Sequence, residues 1–186
     1  LAISNSTGQI GLHRARSHNK PAPPLHRRLE SMPSYSEQLA DWVCGLSFDD
    51  LPADVVASTK DRVLDVIGLA LAGQPTPFGA AVTRACTAMN APGPSRILGS
   101  GQRVSVAAAA FANGALSQAL EFDDTHNESI VHMSSPSVAA ALALSETGKT
   151  SGRALITAIA LGNEIACRVG SVAPGQFHRR GFHPTG

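Results

Sequence analysis

After residue 34, apolar side chains recur every three or four positions, and strand-type alternation is nearly absent. That spacing belongs to helices with one buried face. Ser34-x-x-Glu37 fits a capping box, and Tyr35, Leu39, Trp42, Val43 and Leu46 follow at helical intervals. Asp50-Leu51-Pro52 reads as a second helix start, with proline in the first turn. Its later half, Val63 to Ala72, is apolar nearly all round, so that end is expected to be buried, with Gly73 as its stop. A third helix is expected over Phe78–Met89, ended by Asn90-Ala91-Pro92-Gly93. Ile97-Leu98 and Arg103-Val104 flank Gly99-Ser100-Gly101-Gln102, which reads as a short hairpin or a turn. Ser105 caps an alanine-rich helix over Val106–Leu120. Ser135-Pro136 opens another that runs to Glu146, with Gly148 at its end, and Ser151 caps a last one over Arg153–Val169. The expected fold is all-α, a bundle of about six helices.

The 186 residues have room for one ordinary domain. Residues 1–33 carry a net +4 and form a leader-like or disordered tail in this reading, and residues 34–186 carry −3 and form the folded part. The folded part is mildly acidic and offers no nucleic-acid footprint. No uninterrupted apolar run reaches the ~18 residues of a membrane span. Cys44, Cys86 and Cys167 are odd in number and widely spaced, which fits reduced thiols in an intracellular protein. The expected location is cytoplasmic, or mitochondrial if residues 1–31 act as a transit peptide. The chain opens on Leu1 and stops at Pro184-Thr185-Gly186, which reads as the lead-in to another helix, so truncation is expected. Gly99-Ser100-Gly101 lacks the third glycine and the long preceding strand of a phosphate loop.

The candidate chemistry is concentrated between Glu121 and His132. Four acids, two histidines and a threonine fall within these twelve residues, between two charge-free flanks, Val104–Leu120 and Met133–Ser145. Perturbed ionisable clusters of this kind gather at functional sites. Glu121, Asp123 and Asp124 follow a helix C-terminus, where the macrodipole disfavours acids. A bland reading makes Asp123-Asp124-Thr125 an Asx or ST turn. His132 precedes a helix N-terminus, where backbone N–H groups favour an anion such as a substrate carboxylate. Asp123, Asp124, His126, Glu128 and His132 could instead supply metal ligands, although no HxxxH or HExxH spacing is present. A second cluster, His178-Arg179-Arg180-Gly181-Phe182-His183, has the arginines that suit carboxylate recognition; otherwise it is a basic surface loop.

Several segments together resemble the MmgE/PrpD family. They are Ala115-Leu116-Ser117-Gln118-Ala119-Leu120-Glu121-Phe122-Asp123-Asp124-Thr125-His126 with His132, Arg103-Val104-Ser105, Ser151-Gly152-Arg153-Ala154-Leu155, Gly162-Asn163-Glu164-Ile165-Ala166-Cys167-Arg168, and Gly181-Phe182-His183-Pro184-Thr185-Gly186. The resemblance runs from about Ser36 to Gly186 and includes 2-methylcitrate dehydratase, cis-aconitate decarboxylase and iminodisuccinate epimerase. It implies a large helical domain with a smaller α/β lid, in a homodimer, of which this chain covers the first part of the helical domain. It places Thr125, His132 and His183 at active-site positions, with Asp124 in the same run and Glu121 where many members have aspartate. Further catalytic residues, a lysine, a histidine and a tyrosine, are expected beyond Gly186. Met133-Ser134-Ser135-Pro136 departs from the proline and glycine common after the histidine.

The implied function is a lyase or isomerase acting on a small di- or tricarboxylate by proton transfer alpha to a carboxylate. His132 and His183 are the expected proton carriers, with Asp124 and Glu121 orienting or tuning them. Thr125 is expected to donate to substrate and Arg179 or Arg180 to neutralise a carboxylate. No metal or organic cofactor is required in this reading, and the fragment alone is expected to be inactive. The rival expectations are a non-catalytic helical dimerisation module and a metal-dependent hydrolase.

Overall fold

A computed structural model describes residues 33–89 and 92–185. The tail expected over residues 1–33 lies almost wholly outside them, as do Asn90 and Ala91 of the expected third-helix stop. Two compact units divide between Leu46 and Ser47. In the first, helix α1 spans Tyr35–Gly45. Its capping box forms as the sequence predicts: Ser34 Oγ accepts from the Glu37 N–H (3.2 Å), and Glu37 Oε2 accepts from the Ser34 N–H (2.7 Å). The Ser34 N–H and then the Ser34 hydroxyl, both donating to Glu37 Oε2, hold the Glu37 carboxyl below its usual range.

The second unit is helical, with one two-stranded ribbon. A 3-10 turn at Phe48–Asp50 leads into α2 (Ala53–Gly73) and α3 (Pro77–Met89). Strands β1 (Ser95–Arg96) and β2 (Arg103–Val104) form an antiparallel hairpin. Helices α4 (Val106–Gln118), α5 (Ser134–Ser145) and α6 (Gly152–Ser171) follow, then a one-turn helix α7 (Gln176–Arg179). The all-α expectation holds, with small shifts of boundary. The first strand of the ribbon lies two residues before Ile97-Leu98, because the buried Asn113 side chain takes the Leu98 N–H (2.9 Å) and donates to the Arg96 carbonyl (2.9 Å). Helix α4 stops two residues short of Leu120, since Glu121 turns left-handed at φ 56°. Helix α7 has no counterpart in the sequence reading.

Alanine dominates the core because the helices sit close together. Ala70, Ala108, Ala109, Ala112, Leu116 and Ala143 pack with Cys86, Ile97 and Val104, while Val66, Val138 and Ile159 form a second cluster. The chain is crowded at the end of α2, where a Cβ on Gly73 would lie 2.2 Å from the Leu116 carbonyl oxygen. Gly68, one turn earlier, has open space around it. No helix among the described residues is long and apolar enough to cross a membrane.

These two glycines give opposite expectations. Gly73→Ala forces α2 and α4 apart and lowers stability by about 1–3 kcal/mol. Gly68→Ala, in an uncrowded helix interior, raises it by about 0.5–1 kcal/mol. Urea unfolding of the two variants checks both signs.

Candidate active site

The segment between α4 and α5 is an ordered loop built around a small reversal. His126 and Val131 pair as an isolated bridge, with the His126 N–H donating to the Val131 carbonyl (2.9 Å) and the Ile130 N–H to the His126 carbonyl (2.8 Å). The His126 ring closes the turn from inside, its Nδ1 lying 2.8 Å from Ser129 Oγ and 3.3 Å from the Ser129 N–H nitrogen. Two non-glycine residues adopt left-handed backbone, Glu121 (φ 56°) at the loop's start and Ile130 (φ 55°) near its end. For β-branched Ile130 that conformation stores on the order of 1–3 kcal/mol. The loop leans on α6 at Gly170, where a Cβ would lie 2.5 Å from Val131 Cγ2 and 2.9 Å from Ser129 Cβ.

An ion pair ties this loop to the helices. Asp124 Oδ2 pairs with Arg62 of α2 and accepts from Ser134 Oγ (2.6 Å), while Oδ1 accepts from the Ser134 N–H (3.3 Å). Arg62 also donates to Ser134 Oγ (3.3 Å), and Asn163 Nδ2 of α6 reaches the same oxygen (3.4 Å). The N-terminus of α5, expected from sequence to receive a substrate carboxylate, is thus met by the chain's own Asp124. A carboxylate there suits the helix dipole and the free N–H groups.

Asp124 therefore faces Arg62 and Ser134 rather than a histidine. The carboxylate beside His132 is that of Asp123, whose side chain is only 4% exposed; its Oδ2 lies 3.4 Å from His132 Nδ1. Thr125 Oγ1 is 3.2 Å from the same nitrogen. A carboxylate at this position favours the ring proton on Nδ1 and leaves Nε2 as the basic nitrogen. His183 comes to His132 from the far end of the chain, with ring centroids 5.5 Å apart. Thr185 makes the link: its Oγ1 accepts from the His132 N–H (3.0 Å), and its own N–H donates to His183 Nδ1 (3.3 Å).

The remaining candidates lie apart from this group. Glu121 is exposed and takes a bond from Gln118 Nε2 (3.4 Å). Arg179 and Arg180 are exposed at the end of α7, and no salt bridge of theirs forms among the described residues. The acids of the loop diverge, Asp123 toward His132 and Asp124 toward Arg62. Among the described residues no three His, Cys, Asp or Glu side chains gather in a way that could hold a metal ion. Burial pushes the Cys167 thiol up, and the Ser129 hydrogen bond only partly offsets this.

Arg62, Ser134, Asn163 and Thr185 have no role in the sequence reading, and Asp123 enters it only as a turn residue or a metal ligand. Asn163 had one usable signal, a polar side chain following the apolar run Ala158-Ile159-Ala160-Leu161 of a helix, whereas Arg62 sits among Lys60, Asp61 and Asp65 and had none. Breaking the Arg62–Asp124 pair is expected to cost about 1–3 kcal/mol, since a half-buried charge is left unpaired. In a double-mutant cycle of Arg62→Met with Asp124→Asn, the coupling should exceed about 1 kcal/mol. A coupling near zero would show that the pair does not hold the loop.

Comparison with known proteins places the chain among relatives. The MmgE/PrpD N-terminal domain model matches residues 37–186. A cis-aconitate decarboxylase of Aspergillus terreus is 37% identical over 154 residues, covering 80% of this chain and 31% of that protein. The cis-aconitate decarboxylase-like protein oryM of Aspergillus oryzae is 32% identical over 154 residues, covering 78% of this chain and 32% of its own length. The chain thus spans about a third of the curated relatives it matches. By the extent of the domain match and the identity to these relatives, the chain belongs to the MmgE/PrpD family.

Proposed function

We propose that this chain supplies the proton-transfer side of a lyase site for a small di- or tricarboxylate, with decarboxylation of cis-aconitate as its reaction. The observation that carries this reading is the convergence of His132, His183, Thr125 and Asp123 from two distant stretches of chain. The names of the relatives support the substrate.

Loss of carbon dioxide breaks a carbon–carbon bond and leaves the electron pair on carbon. That carbon must then take a proton from a positioned acid. His132, with Thr125 hydrogen-bonded at Nδ1 and the buried Asp123 carboxylate 3.4 Å away, presents Nε2 for this transfer; its protonated form donates, and its neutral form can remove a proton. His183 lies close enough to share the role. Thr125 can accept from His132 Nδ1 while its own hydroxyl hydrogen donates to a substrate oxygen. Arg179 and Arg180 sit beside His183 in sequence and can neutralise a carboxylate. Asp124 acts through the loop, as a positioning residue. Dehydration or epimerisation would use the same proton transfer, so the substrate decides between them.

The test is an assay of the full-length protein against cis-aconitate, 2-methylcitrate and citrate. Carbon dioxide should be released from cis-aconitate. His132→Gln should lower kcat by about 10²–10⁴-fold, and near wild-type turnover would end the proposal. Asp123→Asn, which keeps size but loses charge, should lower kcat by roughly tenfold or more, because the imidazole loses its orienting carboxylate.

A further inference from the structure

His178 stands outside the proposed site in sequence but not in space. Its ring meets the His183 ring edge-on, with centroids 5.2 Å apart. The chain makes this contact through a tight helix ending. Gly181 takes φ 79°, the Phe182 N–H donates to the Phe177 carbonyl (2.9 Å), and the Gly181 N–H donates to the His178 carbonyl (3.0 Å). This is a Schellman ending, which needs a residue tolerant of positive φ at that one position. It folds His183 back over α7 and sets it beside His178. Three imidazoles then stand in a row, His132, His183 and His178, at spacings of 5.5 and 5.2 Å.

The row is uncompensated at its outer end. Asp123 serves His132, but among the described residues no carboxylate pairs with His183 or His178. The Thr185 N–H on His183 Nδ1 leaves Nε2–H as a donor even in the neutral ring. His178 is exposed, as are Arg179 and Arg180 beside it. Such a run of donors and cations without acids attracts anions. A ligand with one carboxylate needs only one of these rings. A ligand with carboxylates on neighbouring carbons can meet several at once.

We infer that His178 is a specificity-determining residue that holds the outermost carboxylate of a tricarboxylate substrate, beyond the carboxylate held near His132 and His183. The inference rests on the polycarboxylate reading above and adds to it a choice between tri- and dicarboxylates.

The test uses His178→Phe, which keeps the ring edge against His183 but removes the donors, and His178→Gln, which keeps one. Calorimetry on the full-length protein compares propane-1,2,3-tricarboxylate with glutarate. His178→Phe should weaken the tricarboxylate by about tenfold and leave glutarate within about twofold, with His178→Gln in between. The KM for cis-aconitate should rise in step while kcat stays within about twofold. Unchanged tricarboxylate binding in His178→Phe, or equal loss for both compounds, would overturn the role of His178 while leaving the His132 proposal standing. Wild-type protein that binds neither compound would remove the polycarboxylate reading and His178 with it.

Discussion

The ion pair between Arg62 and Asp124 is the contact on which the site depends. The loop from Glu121 to His132 has little regular structure and contains two strained residues, so it needs an external hold. Asp124 provides it by meeting three groups at once: the guanidinium on α2, the Ser134 hydroxyl, and the first N–H of α5. Each of these favours a carboxylate, and together they offset the cost of half-burying it. With Asp124 fixed, the neighbouring Asp123 is turned to the other side, toward His132. Adjacent acids thus take opposite tasks.

The helical frame makes that arrangement possible. Small residues let α2, α4 and α5 approach closely, so Arg62 on α2 can reach the start of α5. Gly170 plays the same part on α6, where the loop's Val131 and Ser129 come too near for any side chain.

Most of the helices were legible from local signals. Ser34, Ser105 and Ser151 each cap as their spacing predicts, because capping is a contact over three residues and needs no tertiary information. The Glu121–His132 loop was legible as a place, through its charge contrast with the flanks. Its internal division of labour was not. Asp123 and Asp124 are indistinguishable in sequence, and only the position of Arg62, sixty-two residues earlier, separates them. The meeting of His132 with His183 is likewise a long-range fact, although the two motifs were each visible and the resemblance associated both with one site. The first strand falls before the expected Ile97-Leu98 arm because Asn113, in a helix, takes the Leu98 N–H.

The central claim is that His132 and His183, with Thr125 and Asp123 beside His132 Nδ1, form the carboxylate-handling face of a lyase site. Its most direct test is a crystal structure of the full-length protein soaked with propane-1,2,3-tricarboxylate. The expected result is an anion with one carboxylate within hydrogen-bond distance of Thr125 Oγ1 and His132 Nε2, and another beside His183. An anion bound elsewhere, with the His132–His183 face still in contact with protein or solvent alone, would contradict it.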